Sequence, residues 1–147
     1  MIHNTVRKLI DWLALLTVMG GLAMTLTVAY WLLFPYTPLV INGQPKVLQE
    51  EVRAGDYVLY QIDYCKYIDI PVTVKRRFVD GLVYTIPEFT TSSNHEGCRV
   101  QTVLIDVPKG LPEGDYYFYT EFVYKVNPIR EIVVSVESSS FKVLNAE

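Results

Sequence analysis

The stretch Tyr57-Val58-Leu59-Tyr60-Gln61-Ile62-Asp63-Tyr64-Cys65-Lys66-Tyr67 alternates with a period of two. Val58, Tyr60, Ile62 and Tyr64 fall on one face, and Gln61 and Asp63 fall on the other, as in a half-buried antiparallel strand. The same pattern returns in Tyr116, Phe118, Thr120, Phe122 and Tyr124, set against Glu121 and Lys125. Between and around these two strands, further β segments are expected at 39–42, 46–52, 72–79, 82–86, 99–107, 129–137 and 141–144. Turn residues separate them: Asn42-Gly43, Ala54-Gly55-Asp56, Asp80-Gly81, residues 108–114 and Asn127-Pro128. Eight or nine short strands in about 110 residues, with no helical periodicity, predict an antiparallel two-sheet sandwich over 39–147.

Towards the N-terminus the pattern changes. No charged residue occurs between Asp11 and Lys46, and Trp12–Phe34 is an almost wholly apolar run. At ~1.5 Å per helical residue its 23 residues span roughly 35 Å, against a hydrocarbon core of ~30 Å. Trp12 at one end, and Tyr30 with Trp31 at the other, suit the headgroup regions, and Pro35 stops the helix. Residues 12–34 are therefore expected to be a transmembrane helix. Arg7 and Lys8 precede the run and the next basic residue is Lys46, so the positive-inside bias places residues 1–11 in the cytoplasm and the β-domain outside the inner membrane, in the periplasm or beyond. An uncleaved signal anchor is expected, because the run exceeds a signal-peptide core of ~7–15 residues and no A-x-A-like site closes it; a cleaved signal peptide is the competing reading.

Two features of this layout bear on partners. Thr17, Gly21, Thr25 and Ala29 recur every fourth residue, a ridge of small side chains on which a second helix could pack. The Pro-rich neck, residues 35–38, reaches only ~13 Å when extended. A protein partner in or just above the same membrane, including a second copy of the chain, is therefore expected beside the bilayer itself.

The run Leu111-Pro112-Glu113-Gly114-Asp115-Tyr116 resembles the loop entering the penultimate strand of immunoglobulin-like and fibronectin-type sandwiches, where a Tyr packs at a corner. Glu51-Val52-Arg53-Ala54-Gly55-Asp56-Tyr57 similarly resembles the entry into an early strand of bacterial and phage domains of this kind. Anchor, neck and domain together resemble small single-pass membrane proteins of bacteria and their phages. The resemblance implies an Ig-like fold and brings no activity with it.

The chain of 147 residues is acidic, with a formal charge of −3 and a pI near 5.4. Residues 35–147 hold eleven of the thirteen basic groups but fifteen of the sixteen acidic ones. Nucleic acid is therefore not an expected partner, since phosphate binding needs clustered Lys and Arg. Lys75-Arg76-Arg77 alternates across its strand and makes a weak anion patch. Cys65 and Cys98, both in the exported domain, are expected to form a structural disulfide. His95-Glu96-Gly97-Cys98 offers too few ligands for a metal, no G-x-S-x-G or phosphate loop occurs, and Glu50-Glu51 point to opposite faces; no metal, cofactor or catalytic residue is expected. No ionisable side chain lies within the apolar run to carry ions. Ten of the eleven tyrosines follow residue 35. Tyr57, Tyr67, Tyr117 and Tyr119 are the candidate binding surface, because exposed tyrosines bring contact area at low entropic cost. The expected function is a non-enzymatic binding or assembly module near the bilayer; the alternative is a structural component of a phage virion or envelope membrane complex.

Overall fold

A computed structural model describes residues 2–91 and 96–145. The chain falls into two compact units, Met1–Pro35 and Tyr36–Glu147. The first is a helix, α1 (Ile2–Leu33). It begins before the apolar run and takes in residues 2–11, since nothing from Ile2 to Asp11 breaks it. Phe34 makes the last helical bond, to the Tyr30 carbonyl at 3.0 Å. Pro35 lacks the next amide hydrogen and disfavours helical geometry at Phe34. Within α1 the hydroxyls of Thr17, Thr25 and Thr27 each donate to the carbonyl four residues back, at 2.9 Å, so these polar groups need no water. Arg7–Leu33, with a mean hydropathy of 1.8, is long and apolar enough to cross a membrane, as the core helix of a soluble protein or a signal sequence would also be.

The second unit is all-β, with β1 (Leu39–Ile41), β2 (Lys46–Val47), β3 (Glu51–Arg53), β4 (Tyr57–Lys66), β5 (Val72–Asp80), β6 (Leu82–Thr85), β7 (Phe89–Thr91), β8 (Gly97–Asp106), β9 (Gly114–Asn127), β10 (Arg130–Glu137) and β11 (Phe141–Leu144). They form two sheets. In the first, β4 pairs with β8 along its whole length and, on its other side, with β1 and β2 in succession. The second runs β3-β11-β9-β5-β6, with β10 also on β9 and β7 also on β5. All pairings are antiparallel except β11 with β3.

The alternation of β4 and β9 builds the core. Val58, Tyr60 and Ile62 from one strand meet Tyr116 and Phe118 from the other, all buried. Phe118 is central: its ring centroid lies 4.7 Å from Phe78, 5.1 Å from Phe141 and 5.6 Å from Tyr60. Such offset and edge-on contacts add to simple burial.

The structure departs from the sequence expectations at three places. Residues 46–52 are two strands in different sheets, because the chain crosses over after Val47. The pairing of β7 with β5 lay hidden in a segment of mixed polarity. Strand β9 runs to Asn127 and is followed by two strands, so the resembled loop does not enter the penultimate strand. Residues β10 and β11 share one flank of β9, and Ser138 sits buried at the step between them. Its amide donates to the Phe118 carbonyl (2.9 Å), while its hydroxyl accepts from the Phe118 amide (2.9 Å) and donates to the Ser139 carbonyl (2.7 Å), so the backbone at the step stays paired.

Candidate functional site

Cys65 and Cys98 stand opposite each other in the β4–β8 register, with Cα atoms 3.9 Å apart, and are joined by a disulfide. The bond ties neighbouring strands of one sheet, unlike the inter-sheet bridge of antibody domains. Elsewhere in the β-domain Leu111 and Tyr116 are buried, and the Tyr116 hydroxyl donates to the Pro112 carbonyl at 3.1 Å. The Leu111–Tyr116 run thus folds its tyrosine back onto its own loop.

The four candidate tyrosines do not meet. Tyr57 and Tyr67 are exposed but stand at opposite ends of β4, whereas Tyr117 and Tyr119 lie on β9 in the second sheet. Tyr119 faces Arg77, whose guanidinium carbon is 5.8 Å from its ring and which also bridges to Glu121 at 2.9 Å. His95 lies outside the described residues. Among the described residues no group of three or more His, Cys, Asp or Glu could hold a metal. The ridge Thr17, Gly21 and Thr25 is exposed, with Ala29 partly covered.

Two features escaped the sequence. The first is a transverse row of leucines on the outer face of the first sheet. Leu104 pairs with Leu59, and Leu48 donates its amide to the Leu59 carbonyl, so Leu48, Leu59 and Leu104 lie side by side, the outer two more than half or half exposed at 64% and 50%. Positions more than ten residues apart in sequence make this row, and only the register aligns them.

The second is a cavity of about 200 Å³ between the sheets, beside β7 and β8. Inward alternation on β5 runs Val72, Val74, Arg76, Phe78, so Arg76 occupies a core-facing position. Its guanidinium carbon is 5.2 Å from the Phe89 ring and 5.7 Å from that of Tyr60. Arg99 enters from β8, 5.4 Å from the Tyr64 ring, and the Tyr64 hydroxyl donates to Gln101 at 2.8 Å. Lys66, buried on β4, pairs with Asp69 at 3.7 Å. Burial pushes Arg76 below the usual guanidinium range, offset in part by the Tyr60 hydroxyl. None of the described residues lining the cavity is acidic.

Three buried phenols of the β-domain titrate late. Burial, with Tyr64 adding to it, pushes Tyr124 up to about 12. Burial also raises Tyr60, against smaller opposing effects of Thr120 and Arg76, and raises Tyr116. Each phenol is held neutral in the fold but ionises near its ordinary value in the unfolded chain. The contribution of Tyr124 is therefore whole below about pH 10 and is lost as pH rises through about 12, and those of Tyr60 and Tyr116 are lost in the same direction, as pH rises. For Tyr124 alone the loss is about 2–3 kcal/mol. Denaturant titrations across this range are expected to show that decline, and Tyr124→Phe to flatten it; a decline unchanged in that variant would show that Tyr124 is not its source.

No protein-family model matches the chain, and no curated protein matches it. Among solved structures, it is similar to part of an alkylpurine DNA glycosylase of Pseudomonas fluorescens bound to DNA with an abasic-site analogue, at 10% identity and a TM-score of 0.43 over 75% of this chain and 31% of that one. It is also similar to a CARDB domain from Pyrococcus furiosus in complex with di-metal ions (16%, 0.38, 71% and 89%) and to a β-glucosidase of Listeria innocua (11%, 0.39, 74% and 17%). The chain thus spans about a third of the glycosylase. Likenesses of this degree carry nothing about what this chain binds or does.

Proposed function

We propose that this chain is a single-pass membrane protein, N-terminus inside, whose β-domain adopts an Ig-like sandwich outside the cytoplasmic membrane and serves as a non-enzymatic binding or assembly module close to the bilayer. The observation that carries this reading is α1: from Arg7 to Leu33 it is apolar enough to span, none of its most apolar window is buried, and its threonine hydroxyls are satisfied internally. Left in water, such a surface would far exceed the apolar patches that soluble proteins expose. The Cys65–Cys98 disulfide supports an oxidising compartment for the β-domain. The Tyr116–Pro112 corner supports the Ig-like reading. The short neck argues for a partner in or just above the same membrane, a second copy included.

The test uses the full chain with a C-terminal tag in bacterial cells. The tag is expected to stay with membranes through alkaline carbonate washing, to be digested by protease added to spheroplasts, and to shift to a larger species on crosslinking of intact cells. Release by carbonate, or a tag shielded until the membrane is opened, would overturn the anchored N-in reading. A strictly monomeric product would overturn the assembly role.

A further inference from the structure

We propose that the inter-sheet cavity beside β7 and β8 binds a small carboxylate with an apolar body, its carboxylate held by Arg76 and Arg99. Both arginines face into the gap from opposite sheets, and each guanidinium lies against an aromatic ring at 5.2–5.7 Å. A desolvated cation is costly unless an anion or hydrogen-bond acceptors offset the loss of water. For Arg76 the protein supplies little of this: its Nε is buried without a hydrogen-bond partner, and no described residue lining the cavity is acidic. The carboxylates nearby are engaged elsewhere, Asp69 with Lys66 at 3.7 Å and Glu88 with Lys75 at 3.5 Å. Stacking against Phe89 and Tyr60 attracts the cation but leaves its N–H groups unused. A planar guanidinium presents those groups in a fork that matches a carboxylate.

The remaining walls decide the body of the ligand. Leu39, Val72, Val74, Val103 and Phe122 make most of the lining apolar. At about 200 Å³ the space exceeds the ~150 Å³ cavities that accept benzene. A ring or short branched chain bearing one carboxylate therefore fits, whereas a bare phosphate would leave the apolar walls uncovered. The site is independent of α1 and stands whether or not the helix spans a membrane.

Benzoate is a suitable probe, with benzyl alcohol as its uncharged counterpart and inorganic phosphate as the bare oxyanion. Calorimetric titration of the full chain in a non-ionic detergent is expected to show saturable benzoate binding, no comparable binding of benzyl alcohol or phosphate, and roughly tenfold or greater weakening in Arg76→Met and in Arg99→Met. Lys125→Gln, at an exposed position of β9 that does not line the cavity, is expected to bind as the parent does. Because a buried substitution can disturb the fold, resonances of the Phe89 and Tyr64 rings in the unsubstituted protein provide a second readout, and they are expected to move with benzoate. Absence of saturable benzoate binding, equal binding of benzyl alcohol, or static ring resonances would overturn the proposal. So would phosphate binding in preference to benzoate, or arginine variants that fold and bind unchanged.

Discussion

Replacing both Cys65 and Cys98 by alanine is expected to lower the stability of the β-domain by about 3–4 kcal/mol, the chain-entropy value for a separation of 33 residues. The loop closed by the bond contains β5, β6 and β7, so the unfolded chain regains freedom over much of the second sheet when it is removed. The native state loses little by comparison, because β4 and β8 remain paired over ten residues and hold the two positions opposite each other. Urea denaturation of the full chain in detergent measures the difference, and reduction of the unsubstituted protein is expected to match the double variant. A loss of under about 1 kcal/mol would show that the bond adds little to a sheet already pinned by its register. Against a typical domain stability of about 5–15 kcal/mol, the expected loss is large enough to leave a partly unfolded population.

Phe118→Ala is expected to cost about 3–5 kcal/mol. Phe118 is fully buried and joins the sheets through Phe78, Phe141 and Tyr60, so truncation opens a cavity that three rings from different strands cannot close without shifting their backbones. Phe118→Leu keeps most of the volume and is expected to cost less than half as much. Thermal or urea unfolding of both variants checks the order; an alanine variant as stable as the leucine one would mean that the core collapses around the gap. Because Phe118 stands on β9 six residues before Tyr124, the same variant also tests whether the cavity near Tyr124 depends on the central aromatic cluster.

The strands that proved easiest to read were those with one dry face. In Tyr57–Ile62 and in Tyr116–Glu121 buried positions alternate strictly with more exposed ones, so burial there follows the period-two pattern of the sequence. Residues 46–52 misled because local β propensity is the same whichever sheet accepts the strand, and the crossover after Val47 is a long-range choice. The Phe89–Thr91 strand escaped because its polar residues pair at an edge, where alternation is weak. Among the candidate site residues, the cysteine pair was legible from composition, because the β-domain holds two cysteines that can close on each other. The four tyrosines were individually plausible, but their spacing along the chain said nothing of which sheet each would join.

Arg76 shows where sequence and tertiary structure divide. By itself the sequence determined an apolar helix ended by Pro35, a β-domain of alternating strands, and two cysteines able to pair, because each depends on local periodicity or composition. It also split Lys75-Arg76-Arg77 across the two faces of a strand, but left open which face is dry. Only the packing of one sheet on the other turned the middle residue inward, against Phe89 and Tyr60, and brought Arg99 to the same gap from a strand more than twenty residues away. The physical reason is that which face of a strand goes dry is decided by its neighbours in the other sheet, through contacts between residues distant in the chain.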